Sequence, residues 1–198
     1  MSKETYYRQK MALNVDEKQA IARTAAEYIQ AGDTIFLDAG TTTFEIARLI
    51  TDVPSLTIIT DDIKIAFFLS QSSDADVMCC GGLIQKETGC IFGHFANQML
   101  AYIQMTKAFI GAASINSQFA VLTPTVDKVS LKRLIISNSE ESYLVVDSSK
   151  FNRRALMKIN TLAQYTAVIT TKQFNEQEGK LLKKMGARLL VPKMGDQE

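Results

Sequence analysis

Two periods of apolar residues take turns along this chain. In "NVDEKQAIARTAAEYIQAG", Ile21, Ala25, Tyr28 and Ile29 recur at helical spacing. Asn14 and Glu17 stand at capping-box spacing before them, and Gly32 closes the segment. "TIFLDA" (34–39) is a continuous apolar run and predicts a buried strand. A short helix carrying Phe44, Ala47 and Ile50 follows, then the strand "LTIIT" (56–60) and the helix "IKIAFFLSQ", capped by Asp61 or Asp62. "ADVMCCGG" reads as a third strand ending in a glycine pair, "GHFANQMLAYI" as a helix and "KAFIGAA" as a fourth strand. Asp127 opens the helix "KVSLKRLIISNS"; "SYLVVD" (142–147) and "TAVITT" (166–171) are further strands. Asn175 and Glu178 repeat the capping-box spacing ahead of "QEGKLLKKMG", and "ARLLVP" predicts a last strand.

Strands that are apolar throughout, not alternating, belong to a sheet covered on both faces, and such sheets are parallel. Repeated strand–helix units then predict a doubly wound, mostly parallel α/β domain with right-handed crossovers. The 198 residues suffice for one such domain, expected over 14–198, with 1–13 as an arm or hinge. A net charge of +1 advertises neither nucleic acid nor membrane. No apolar run reaches the roughly 18 residues of a membrane span, and the polar N-terminus has no signal-peptide core, so a cytoplasmic protein is expected. Cys79 and Cys80 are neighbours on a strand and point to opposite faces; with Cys90 they read as reduced packing thiols, not a zinc site. His94, the single histidine, makes no metal site alone, and no cofactor is implied.

Open α/β sheets gather ligands at the carboxyl ends of their strands. Small polar residues collect there: Asp38 to Thr43, Thr60 to Asp62, Gly81-Gly82, Gly111 to Ser114, and Asp147 to Lys150. The first corner offers the most physics. Gly40 permits close approach of the backbone, a helix N-terminus follows, and Thr41, Thr42 and Thr43 add hydroxyls. It serves either as a phosphate cradle or as simple helix capping. Lys150 follows a strand by few residues and can reach the same crevice; Arg153, Arg154 and Lys158 read as a solvated basic loop just beyond. Neither a G-x-G-x-x-G fingerprint after the first strand nor a Walker loop is present.

"EKQAIARTAAEYIQAGDTIFLDAGTTT", "CCGGLIQKETGCIFG", "KAFIGAASI" and "VVDSSKF", in this order over roughly residues 4 to 171, resemble the effector-binding domain of DeoR-type bacterial transcriptional repressors. The resemblance implies the fold of ribose-5-phosphate isomerase, glucosamine-6-phosphate deaminase and coenzyme A transferases. It makes Asp38, Gly40, Thr41 and Thr42 the core of a sugar-phosphate site lined by Thr60, Asp61, Gly81, Gly82, Gly111 and Lys150. Asp38 would either accept sugar hydroxyls or fix the loop. Family members carry an N-terminal winged helix-turn-helix of about 60 residues, which is not found in this chain; "ETYYRQKMALNVDEKQ" resembles the joining segment. Operator DNA is therefore expected to be bound only through that absent head, by a homo-oligomer, with repression relieved by the sugar phosphate. Ser114, and Ala120 or Val121, sit near two places where the family often has glycine, and Lys128 and Ser130 flank the region before Lys132-Arg133 where many relatives place a Glu; these departures bear on the sugar end of the site more than on the phosphate end.

The same fold hosts enzymes, so a sugar-phosphate isomerase or deaminase is the alternative. Such chemistry needs positioned acids and bases. Between Lys107 and Val126 there is neither Asp nor Glu, which favours a sensor over an enzyme; Asp38, Asp61, Asp62 and Asp147 are the remaining candidate bases.

Overall fold

The computed structural model describes residues 7–194. Helices α1 (Tyr7–Met11) and α2 (Val15–Ala26) lead into β1 (Thr34–Leu37), α3 (Thr41–Leu49), β2 (Thr57–Thr60), α4 (Ile63–Ser72) and β3 (Asp76–Cys79). A hairpin of β4 (Leu83–Ile84) and β5 (Ile91–Phe92) precedes α5 (His94–Ala101) and β6 (Met105–Ile110). Strands β7 (Ser114–Ile115) and β8 (Ala120–Thr123), helix α6 (Asp127–Ser137) and β9 (Ser139–Val146) follow. After a 3₁₀ turn at Ser148–Lys150 come β10 (Met157–Thr161), a second 3₁₀ turn at Leu162–Gln164, β11 (Ala167–Thr170), α7 (Glu176–Met185) and β12 (Leu189–Leu190).

Seven strands form one parallel sheet in the order β12-β11-β9-β6-β1-β2-β3. The continuous apolar runs are explained by burial on both faces. Along β1, Ile35 and Leu37 pack against α2, α3 and α4, while Phe36 packs against the layer of α5, α6 and α7. Along β9, Tyr143 and Val145 face the first layer and Leu144 and Val146 the second. The expected doubly wound α/β architecture is therefore the one observed. β3, expected as a strand like the others, is the sheet's edge, and its Asp76, Met78 and Cys79 are exposed. Two small antiparallel pieces, the three-stranded sheet β10-β8-β7 and the β4–β5 hairpin, were not legible as strands because each offers only a few residues of pattern.

The direction of winding reverses at β1. β2 and β3 lie on one side of it, and β6, β9, β11 and β12 on the other. Neighbouring strands β1 and β6 therefore send their following loops apart and leave a crevice at their carboxyl ends. At the opposite end Lys107 of β6 grips both oxygens of Asp33, just before β1, at 2.7 Å each. Burial pushes the Asp33 carboxyl up, but Lys107, the Gln30 N–H and Thr106 outweigh it and hold the group below the usual carboxylate range.

Two expected helix caps differ. Asn175 and Glu178 form the reciprocal box, at 2.9 Å each way. Asn14 does not cap α2: it lies in the left-handed region (φ 52°) and its amide donates to Asp147 Oδ1 at 3.0 Å. Glu17 accepts from the Ser148 N–H at 2.9 Å, from the Ser148 hydroxyl and from Thr171. Tertiary partners at the end of β9 take both side chains, so the local motif ties α2 to that corner. Gly32 lies beyond the helix, which closes at Ala26.

Candidate functional site

The loop after β1 is held by buried charge. Asp38 continues the ladder with its N–H on Phe109 O at 3.1 Å. Its Oδ2 accepts from the Gly111 N–H at 2.7 Å and from Lys132 Nζ at 2.5 Å; the same ammonium reaches Gly111 O at 2.6 Å. Burial alone would lower the Lys132 pKa, yet the Asp38 carboxylate more than reverses this and raises it. One carboxylate and one ammonium thus staple the ends of β1 and β6 together. Of the two roles open for Asp38 from sequence, fixing the loop is the one its contacts display.

Behind this staple lie Thr60 and Asp61, both fully buried at the end of β2. The Thr60 hydroxyl donates to Leu37 O at 2.7 Å. Asp61 Oδ1 accepts from the Ala39 N–H at 2.7 Å, and its Oδ2 accepts from the Cys90 thiol at 3.1 Å. Burial, then the nearby Asp38 charge, pushes Asp61 up to about 7. Asp62, not Asp61, caps α4, accepting from the Lys64 N–H at 2.9 Å.

α3 begins at this staple. Its first main-chain bond runs from Phe44 N–H to Gly40 O at 3.0 Å, so the N–H groups of Thr41, Thr42 and Thr43 precede the helical ladder and have no intrahelical acceptor. The Thr43 hydroxyl turns inward onto Asp38 O and Gly40 O. The hydroxyls of Thr41 and Thr42 make no hydrogen bond among the described residues, and both residues line the crevice. Gly40 is extended (φ 173°), so conformation does not demand glycine there; a Cβ would meet the Thr43 hydroxyl at 3.3 Å.

The crevice has an inner chamber of about 60 Å³ between α3, the β6–β7 loop and α6. Asp38, Gly40, Thr41, Thr42, Gly111 and Lys150 line it, as do Lys10, Lys128 and Lys132. An outer chamber of about 390 Å³ shares Lys10, Ala113 and Lys150 with it and adds Lys18, Asp147, Arg153 and Arg154. Seven cationic side chains and two carboxylates surround the two chambers, in a chain whose net charge is only +1. Such focused positive potential, with helix N–H groups at its inner end, suits an anion.

Four residues expected to line the crevice do not. Thr60 and Asp61 support it from behind, as described. Gly81 and Gly82 follow β3, two strands away from β1, and are exposed outside both chambers. Gly82 has a packing reason to be glycine: φ is +148° and a Cβ would lie 2.5 Å from Phe92 O. Gly82→Ala should destabilise the fold by about 1–3 kcal/mol in urea unfolding and leave ligand affinity of the folded protein unchanged. Unaltered stability would show that the hairpin yields freely.

Lys128 and Lys132 were missed as site residues. Both are buried, and with Leu131 and Ile135 they form the inward face of α6. The signal was present: lysines at i and i+4 that share a stripe with i+3 and i+7 apolar residues face inward. Lys10 had no comparable signal, since only the packing of α1 brings it to the crevice.

A family model, the DeoR C terminal sensor domain, matches residues 13–172. The chain belongs to the DeoR family. Over 96% of its length this sensor domain is 37% identical to an HTH-type transcriptional regulator of Haemophilus influenzae, of which it covers 74%. It is 36% identical to the HTH-type regulator YgbI of Escherichia coli, over 93% of this chain and 72% of that one. It is also 31% identical to the E. coli glycerol-3-phosphate regulon repressor, over 84% and 66%. Among solved structures, eIF2B delta from Chaetomium thermophilum shares the fold: TM-score 0.59, 16% identity, 82% of this chain and 58% of that one. Ribose 5-phosphate isomerase A from Methanocaldococcus jannaschii gives a TM-score of 0.49 at 16% identity, over 70% and 55%. The relatives are regulators and repressors, not enzymes, and the sensor domain is that of a repressor family.

Proposed function

We propose that this sensor domain binds a phosphorylated sugar or polyol in the crevice between β1 and β6, and that binding modulates operator binding by an N-terminal winged helix-turn-helix. The observation that carries the reading is the inner chamber: Lys10, Lys128, Lys132 and Lys150 surround the N-terminus of α3 and its two uncommitted threonine hydroxyls. A phosphate offers more acceptor oxygens than a carboxylate and exploits N–H groups, hydroxyls and ammonium groups together. The name of the glycerol-3-phosphate regulon repressor supports a small phosphorylated effector, and the names of the HTH-type relatives support a DNA-binding partner domain.

Helix α1 supplies a route between effector and DNA. Lys10 belongs to this helix and lines both chambers. Lys18 of α2 donates to Lys10 O and Leu13 O and so holds the segment between the helices. Tyr7, at its other end, is buried under Lys64, whose ammonium lies 4.1 Å from the ring centre. In this reading residues 1–13 are the arm to the DNA-binding head, although 1–6 lie outside the described residues. An anion that engages Lys10 shifts the arm only if it binds the two arm positions with different affinity. Helix-turn-helix proteins commonly read paired half-sites as dimers, so the full repressor acts in the cytoplasm as a homo-oligomer.

The test is thermal unfolding with phosphorylated compounds and their unphosphorylated parents. Glycerol 3-phosphate, ribose 5-phosphate and glucose 6-phosphate are compared with glycerol, ribose and glucose. At 100 times its dissociation constant a ligand adds about 2.7 kcal/mol, and only phosphorylated members should do so. Lys150→Ala should weaken binding at least tenfold, or about 1.4 kcal/mol, while exposed Lys183→Ala leaves it unchanged. Equal shifts from both members of every pair would defeat the assignment.

A further inference from the structure

We infer that the effector carries two anionic groups joined by a hydroxylated carbon chain, with the second group held in the outer chamber by Arg153 and Arg154. This rests on the sugar-phosphate reading of the inner chamber. That chamber, of about 60 Å³, is much the smaller of the two, and a sugar phosphate anchored at the N-terminus of α3 extends toward the 390 Å³ outer chamber past the shared Lys150. A neutral sugar would call for hydrogen-bond acceptors and apolar faces there. Instead the outer wall presents Arg153 and Arg154 side by side. Neither guanidinium has a hydrogen-bond or ion-pair partner among the described residues, and each offers the planar fork that fits a carboxylate or phosphate.

The middle of the ligand is specified separately. Asp147 is buried at the end of β9 and lines the outer chamber. Its Oδ1 is taken by Asn14 and by the Ser149 N–H, both at 3.0 Å. Its Oδ2 accepts no hydrogen bond among the described residues and lies 3.8 Å from Lys150 Nζ. The Asp147 carboxylate puts a negative charge on the wall of the outer chamber, which disfavours a further anion beside it and leaves that stretch to uncharged groups. Lys150, whose ammonium lies 3.8 Å from Oδ2, lines both chambers, so the Asp147 charge lies near their junction. The order of chemistry along the crevice is therefore anion, uncharged middle, anion, as in a sugar bisphosphate or a phosphorylated sugar acid.

Calorimetric titration of the chain with three matched pairs tests this: glucose 6-phosphate and 6-phosphogluconate, fructose 6-phosphate and fructose 1,6-bisphosphate, ribose 5-phosphate and ribulose 1,5-bisphosphate. In at least one pair the two-anion member should bind at least tenfold more tightly. The Arg153→Ser/Arg154→Ser variant should lose that advantage, with a clearly smaller loss of affinity for the monophosphate than for its two-anion counterpart. Both arginines are exposed, so this variant should fold. Affinities within threefold in every pair, or equal losses for both members in the variant, would overturn the second anion subsite and leave the phosphate reading standing. No binding by any of the six would overturn both.

Discussion

Exchanging Lys132 for methionine should cost the fold about 3–5 kcal/mol, because it leaves a buried carboxylate without its counter-charge. Asp38 and Lys132 are both nearly inaccessible, and the ammonium is the 2.5 Å partner of Asp38 Oδ2 as well as a donor to Gly111 O. Methionine fills similar volume, so the loss is electrostatic and not a cavity. Asp38→Asn/Lys132→Met should be markedly less destabilised than the two single variants added together, since the residual Gly111 N–H then meets a neutral amide oxygen. Urea unfolding of the four proteins measures the coupling. A loss below about 1 kcal/mol for Lys132→Met, or strict additivity, would mean that the strand ends are joined by packing alone. The same substitution removes one cation from the inner chamber, so it should weaken phosphate binding by the protein that remains folded.

Stability should decline as pH rises from about 5 to about 8, and Asp61→Asn should remove much of that decline. Asp61 is fully buried and its pKa is about 7, against an ordinary 3.8. The folded state thus keeps a proton that the unfolded chain has released over this interval. Stability falls wherever the native state binds more protons, and the loss is complete once pH exceeds the folded value. A rise of this size corresponds to a few kcal/mol. Asp33 and Asp147 have depressed values and act in the opposite sense, but their contribution is lost only as pH falls below the ordinary carboxylate range. Asp62, also raised by burial, adds to the decline, so the comparison with the variant isolates Asp61. Asparagine keeps an oxygen for the Ala39 N–H and turns its amide to the Cys90 sulfur. At pH 8 the variant should exceed the wild type in stability, with the difference shrinking toward pH 5. Parallel pH profiles would show that Asp61 stays ionised in the folded protein.

Sequence pattern was sufficient for the elements and for their class. Continuous apolar runs such as "TIFL" and "YLVV" demand burial on two faces, and strand–helix alternation then leaves little but a parallel, doubly wound sheet. The corner of Asp38, Gly40, Thr41 and Thr42, with Gly111 and Lys150, was legible because small and polar residues at strand ends serve either turns or ligands. Which corners meet was decided only by strand order. β1 and β6 are neighbours across the reversal of winding, whereas the loop after β3 is carried to the edge of the sheet, and no local pattern in Gly81-Gly82 records that distance. Burial of charge was likewise a tertiary outcome. Lys128 and Lys132 have the composition of a solvated helix face and the spacing of a core face, and the Asp38 carboxylate decides between them by compensating the desolvation of Lys132. Asn14 and Glu17 illustrate the same competition in reverse: local spacing specifies a cap, but Asp147, Ser148 and Thr171, more than 130 residues away in the chain, offer these side chains tertiary partners at the crevice's outer end. Chain periodicity reports which face of an element is dry; only the assembled sheet determines which charges share that dry space.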